Sequence, residues 1–101
     1  MSPQRELEVT PRAARHIREA AQWWHEHRTG APDAIREELE RAFDLISLFP
    51  GVGAVARNPQ LQGVRRLHLS RVHYDLYYRS HGSSIQVLAF WHSSRGSGPA
   101  L

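Results

Sequence analysis

The sequence predicts an α+β fold of order β-α-α-β-β-β, with a helical hairpin packed on one face of a small antiparallel sheet. Three observations carry that prediction. Residues 64–69, 72–79 and 85–91 alternate apolar with basic or aromatic side chains, the period of strands that bury one face and show the other. Residues 11–28 and 32–49 instead repeat their apolar side chains every three or four positions, the stripe of an amphipathic helix. The links within each group are short, so the strands form a meander and the helices an antiparallel hairpin whose stripes can pack together on a sheet.

Taken in order, Leu7, Glu8 and Val9 form a short alternating run, read as an edge strand that joins the later sheet. Thr10 caps the first helix, and Pro11 suits its first position because the missing N–H would be unpaired there. Ala13, Ile17, Ala20, Ala21 and Trp24 make its stripe. Trp23 sits ~100° from Trp24 on the helical wheel, so one indole belongs at the margin, partly exposed or covered by a partner. Gly30 stops this helix and Pro32 opens the next, where Asp33, Glu37 and Glu38 place carboxylates near the positive end. Ile35, Leu39, Ala42, Phe43, Ile46 and Phe49 form the second stripe, ended by Pro50 and Gly51. Residues 51–63, with three glycines and Asn58-Pro59, read as a loop returning to the sheet. Ser70-Arg71 reads as a turn, and residues 80–84 as a hairpin loop in which Gly82 takes positive φ. Residues 92–101 read as a flexible tail, and residues 1–101 as a single domain.

Length and composition narrow the function classes. The chain has 101 residues and no cysteine, which leaves neither a disulfide framework nor a thiolate zinc site. No apolar run approaches the ~20 residues needed to cross a bilayer. Residues 1–6 lack the basic-then-apolar layout of a signal peptide, so a cytoplasmic protein without membrane attachment is expected. Residues 1–50 carry seven arginines against nine carboxylates, net −2, while residues 51–101 carry six arginines against Asp75 alone, net +5. There is no lysine. Codon bias would explain that absence but not the asymmetry, which points to an acidic partner for the sheet half.

Strict alternation sorts the strand residues by face. Leu67 and Leu69 oppose Arg66 and His68, and Val72, Tyr74, Leu76 and Tyr78 oppose His73, Asp75, Tyr77 and Arg79. In the last strand Val87 and Ala89 oppose Leu88 and Phe90, so both faces are apolar and the strand is interior. With helices over the leucine face, the other face gathers Arg66, His68, His73, Tyr77 and Arg79, a surface suited to a phosphate-bearing or acidic ligand. The alternative is a solvated face on which Asp75 pairs with a neighbouring arginine. Seven histidines raise the question of a metal, but His25 and His27 point to nearly opposite sides of a helix. No metal, cofactor, hydrolase triad or glycine-rich phosphate loop is expected.

These segments also carry a resemblance. Trp23-Trp24, Ala31-Pro32, Glu38-Leu39 and residues 49–53, then residues 63–67, Tyr74 to Arg79 and Val87 to Gly96, resemble the ParE branch of the RelE/ParE toxin superfamily over residues 7 to 99. The resemblance implies the same β-α-α-β-β-β fold and the toxin of a bacterial type II toxin–antitoxin, plasmid-stabilisation pair. It implies a cognate ParD-like antitoxin, bound at Trp23, Trp24, Arg65 and Arg71. It implies DNA gyrase as target, held without catalysis by Arg66, His73, Tyr77, Arg79, His92 and Arg95. The alternative on this fold is a ribosome-dependent mRNA endonuclease of the RelE type, with Arg66, Arg79, His92 and Arg95 around the scissile phosphate, or an inactive homologue. Nucleic acid is a partner only in that alternative or through the antitoxin complex. RelE-like enzymes usually carry lysines on the second strand and a terminal Tyr or His, whereas this chain has Arg66, His68 and His92.

Overall fold

The structure is a computed structural model that describes residues 5–101; residues 1–4, part of the stretch read above for a signal peptide, lie outside the described residues. Its elements are β1 (Glu6–Val9), α1 (Pro11–His27), α2 (Ala34–Leu48), β2 (Ala54–Val55), β3 (Arg65–Leu69), β4 (Tyr74–His81) and β5 (Ser84–His92). The sheet order is β1-β5-β4-β3-β2, with the expected antiparallel meander β3-β4-β5 at its centre. Two features go beyond the sequence reading. β1 lies parallel to β5, because the chain crosses over through the helical hairpin before it returns, so the sheet is mixed. β2 is a two-residue strand on the outer edge of β3, inside the stretch read as loop, and two residues have no period to detect.

Thr10 caps α1 as expected, its hydroxyl accepting the Ala13 N–H at 3.2 Å, and Pro11 occupies the first turn. α2 starts later than expected, at Ala34 rather than Pro32, because Pro32 and Asp33 belong to the turn in which the Ala34 N–H bonds to Ala31 O. Both stripes face the sheet. Ile35, Leu39, Ala42 and Ile46 of α2 and Ala13 and Ala20 of α1 are buried with Leu69, Leu76, Tyr78, Ile85, Val87 and Phe90. Ile17, Phe43 and Leu67 pack half-buried around them. Fully burying each larger aliphatic or phenylalanine side chain here contributes ~1.5–3 kcal/mol. Trp23 is the marginal indole, 42% exposed. Trp24 is partly buried and gives its N–H to Ala31 O at 2.9 Å, which closes the hairpin.

Three local details set the faces of the sheet. The β4–β5 hairpin is tighter than the expected five-residue loop: His81 pairs with Ser84, and Gly82 at φ 62° supplies positive φ at the first of two turn residues. The β3–β4 turn is longer than expected, spanning Ser70 to His73, because the N–H groups of Val72 and His73 both bond to Leu69 O. Val72 therefore belongs to the turn, yet its side chain is fully buried in the core. Finally, the β4–β5 register passes from Tyr77↔Ala89 to Tyr78↔Val87, leaving Leu88 as an extra residue in a bulge. Val87 thus shares the helix side with Phe90, not with Ala89, which corrects the grouping from strict alternation. Leu88 and Ala89 are both buried, in keeping with an interior strand.

Tyr78 fastens the chain between α2 and β2 to this framework. Its hydroxyl donates to Pro50 O and accepts the Gly53 N–H, each at 2.8 Å. A Cβ at Gly53 would stand 2.7 Å from that hydroxyl and 3.0 Å from Arg66 O, so only glycine permits the approach. After β5 the chain folds back. The Trp91 indole donates to Ser97 O at 2.8 Å, Arg12 donates to Ala100 O, and Leu101 lies beside Pro11 and Leu88.

Candidate functional site

The helices leave one face of the sheet open. Register places Arg66, Tyr77 and Ala89 in one row across it, and His68, Asp75 and Trp91 in the next. Asp75 is only 8% exposed, and its partner is not an arginine: His68 Nδ1 lies 2.8 Å from its Oδ1. The carboxylate accepts the Nδ1–H, which fixes the tautomer and leaves Nε2 free on a half-exposed ring. His73, at the end of the β3–β4 turn, has φ 61°, a left-handed conformation that costs a non-glycine residue roughly 1–2 kcal/mol. Its carbonyl is held there by the Ser93 N–H at 2.9 Å and the Ser93 hydroxyl at 2.7 Å. The His68 and His73 ring centres lie 6.5 Å apart. A groove of about 370 Å³ runs between the β2 loop and the tail, with Arg57, Arg66 and Tyr77 on its walls. Arg79, one step beyond Tyr77 on the same face, donates its Nε–H to Gln86 at 2.9 Å.

The six residues expected to bind the target are therefore not one cluster. Arg66, His73, Tyr77 and Arg79 share the open face. His92 pairs with Tyr74, meets its ring edge-on at 5.0 Å, and faces the helix side. Its Nδ1 accepts from the Ser94 N–H at 3.2 Å and lies 2.6 Å from the Ser94 hydroxyl. Arg79 and His92 stand five residues apart along the sheet, roughly 17 Å at strand rise. Arg95 stacks over the Trp91 ring at 4.0 Å and turns into a second cleft, of about 520 Å³, between α1 and the end of β5. Arg15, His16, Trp23 and Tyr74 also line that cleft.

The residues expected to meet an antitoxin are equally dispersed. Trp23 is exposed, stacked on His27 at 4.5 Å with Arg28 nearby. Trp24 is tied to Ala31, and Arg65 donates to Gly53 O at 2.7 Å. Arg71 reaches Glu37 and Glu38 at 3.1 and 3.2 Å, joining the β3–β4 turn to α2. Among the described residues no three of His, Cys, Asp or Glu gather where they could hold a metal ion, and no helix is long and apolar enough to cross a membrane.

Sequence reasoning missed His16 as well as the His68–Asp75 pair. The Phe90 N–H donates to His16 Nδ1 at 3.2 Å, so the imidazole caps part of β5 that lies beyond β1. Burial, and next the charge of Arg15, lower the His16 pKa from its ordinary 6.5. The neutral ring is the form that accepts this bond. Below the ordinary value the unfolded chain binds more protons than the folded one, so this contribution is complete above it and is lost as pH falls. Urea midpoints measured from about pH 8 to about pH 5 should fall more for wild type than for His16→Gln, which keeps an acceptor but cannot titrate.

Comparison with known proteins bears on this site. A solved structure, the chromosomal ParDE TA system from P. aeruginosa, superposes with a TM-score of 0.70 at 22% identity, covering 90% of this chain and 98% of that one. At that identity the likeness speaks for the fold. No curated protein sequence matches. The family model described as the ParE toxin of the type II toxin–antitoxin system, parDE, matches residues 7–96. With that match running from within β1 to beyond β5, the chain belongs to the ParE toxin family.

Proposed function

We propose that this ParE-family toxin acts in the cytoplasm by binding DNA gyrase directly, and that a cognate ParD-like antitoxin neutralises it. The observation that carries the reading is the composition of the open face. It presents Arg57, Arg66 and Arg79 around Tyr77, cations and an aromatic ring suited to an acidic protein surface. The four residues of the endonuclease alternative, Arg66, Arg79, His92 and Arg95, lie on different faces, with His92 Nδ1 occupied by Ser94. A scissile phosphate cannot meet all four. The antitoxin covers the exposed Trp23 indole, which lines the same cleft as Arg95.

Purified protein, freed of antitoxin, should inhibit gyrase supercoiling, with His92→Gln retaining the effect to within about tenfold, the weight of one hydrogen bond. It should place no cut that depends on the ribosomal A site. Ribosome-dependent cleavage abolished by His92→Gln, with supercoiling untouched, would sink the reading.

A further inference from the structure

The cleft of about 520 Å³ between α1 and the end of β5 lies away from the open face, and its walls differ at two ends. One end is cationic, lined by Arg15, His16 and Arg95. Burial lowers the His16 pKa most, and the charges of Arg15, Arg12 and Arg95 lower it further against Glu19, so three guanidinium groups surround this imidazole. His16 Nδ1 accepts the Phe90 N–H at 3.2 Å, so the neutral ring keeps its proton on Nε2, where it is a donor. Arg95 is held by its flat face over the Trp91 ring at 4.0 Å, which leaves the N–H edge of the guanidinium for an anion. Glu19 approaches Arg15 only to 3.9 Å, with both side chains mostly exposed, too loose a pair to use up that cation. The other end is aromatic. Trp23 lies eight residues after Arg15 on α1, roughly 12 Å at helix rise. Stacking on His27 at 4.5 Å fixes the indole while 42% of the residue stays exposed. Ala20 lines the cleft between them, and its short side chain leaves room for a ligand to span both ends.

We propose that this cleft binds a nucleoside 5′-diphosphate, with the phosphates on Arg15, His16 and Arg95 and the base stacked on Trp23. The two ends together select the ligand class. A simple phosphate uses only the cations, and an apolar ring uses only the indole. A nucleotide carries its anion and its flat ring at opposite ends of one molecule, at the separation that the cleft offers. The guanidinium edges take phosphate oxygens in charge-assisted bonds, and the neutral His16 adds an N–H without a further charge. The indole accepts any base, because stacking needs only the π face. The ligand is bound and not turned over, since nothing on these walls is placed to supply a nucleophile. The proposal depends neither on gyrase being the target nor on where the antitoxin sits.

The test is isothermal titration of the purified, antitoxin-free protein with ADP, adenosine and pyrophosphate in magnesium-free buffer. ADP should bind at least about tenfold more tightly than adenosine, the weight of one charge-assisted hydrogen bond. It should bind at least about fivefold more tightly than pyrophosphate, the lower end for one stacked base. Trp23→Ala should weaken ADP by at least about that fivefold and leave pyrophosphate unchanged. Arg95→Gln should weaken ADP and pyrophosphate alike, by about tenfold or more. Arg15→Gln, a change on the exposed flank of α1, should repeat that loss independently of the tail that carries Arg95. No binding of ADP, or adenosine or pyrophosphate binding as tightly as ADP, would overturn the proposal. So would wild-type ADP affinity in Trp23→Ala or in both arginine variants.

Discussion

Tyr78→Phe is expected to destabilise the protein by about 2–4 kcal/mol although it removes a single oxygen. The Tyr78 side chain is fully buried, and its hydroxyl serves Pro50 O and the Gly53 N–H at once. Removing it leaves both backbone groups without that partner, and an orphaned buried group costs ~1–3 kcal/mol. Phenylalanine fills the same space, so no cavity term enters. Burial raises the Tyr78 pKa, so the phenol stays protonated and able to donate through neutral and mildly alkaline pH. Denaturant unfolding of the two proteins checks the figure; a difference under about 0.5 kcal/mol would mean that water replaces the hydroxyl. The loss should also loosen residues 50–53, which Tyr78 holds against β3 beneath Arg66.

Trp23→Ala is expected to weaken antitoxin binding by at least ~30-fold while leaving the fold nearly as stable. The indole is 42% exposed, so the free protein loses little on truncation. A large aromatic buried at the centre of an interface typically accounts for 2 kcal/mol or more. The arginines nearby contribute mainly to the rate of encounter and are screened by salt. Isothermal titration at low and high salt should therefore show a larger effect of the substitution than of the salt. Affinity unchanged by both would place the antitoxin elsewhere on the toxin.

The helices and the three long strands were legible because each has a period. The stripe through Ala13, Ile17 and Ala20 and the alternation from Tyr74 to Tyr78 need nothing beyond their own segments. The bulge at Leu88 was not legible, since it arises from the pairing of two strands. Its consequence was large. One extra residue reverses the faces of everything after it, which is why His92 joins Tyr74 on the helix side and parts from Arg66 and Tyr77. The His68–Asp75 pair was hidden for a related reason: alternation put both on the open face, but only register sets them directly opposite. His16 was unreadable from local pattern, because its partner is a backbone N–H on a strand 74 residues away.

The proposed inhibition of gyrase requires that the toxin grip its target with the open face of the sheet. Arg66→Glu, an exposed change at the centre of that face, tests it most directly when set beside Arg18→Glu, an equal change of charge on the exposed surface of α1. In a gyrase supercoiling assay Arg66→Glu should raise the concentration for half-inhibition at least tenfold, while Arg18→Glu should match wild type. Equal potency of all three proteins, or loss in Arg18→Glu alone, would contradict the claim.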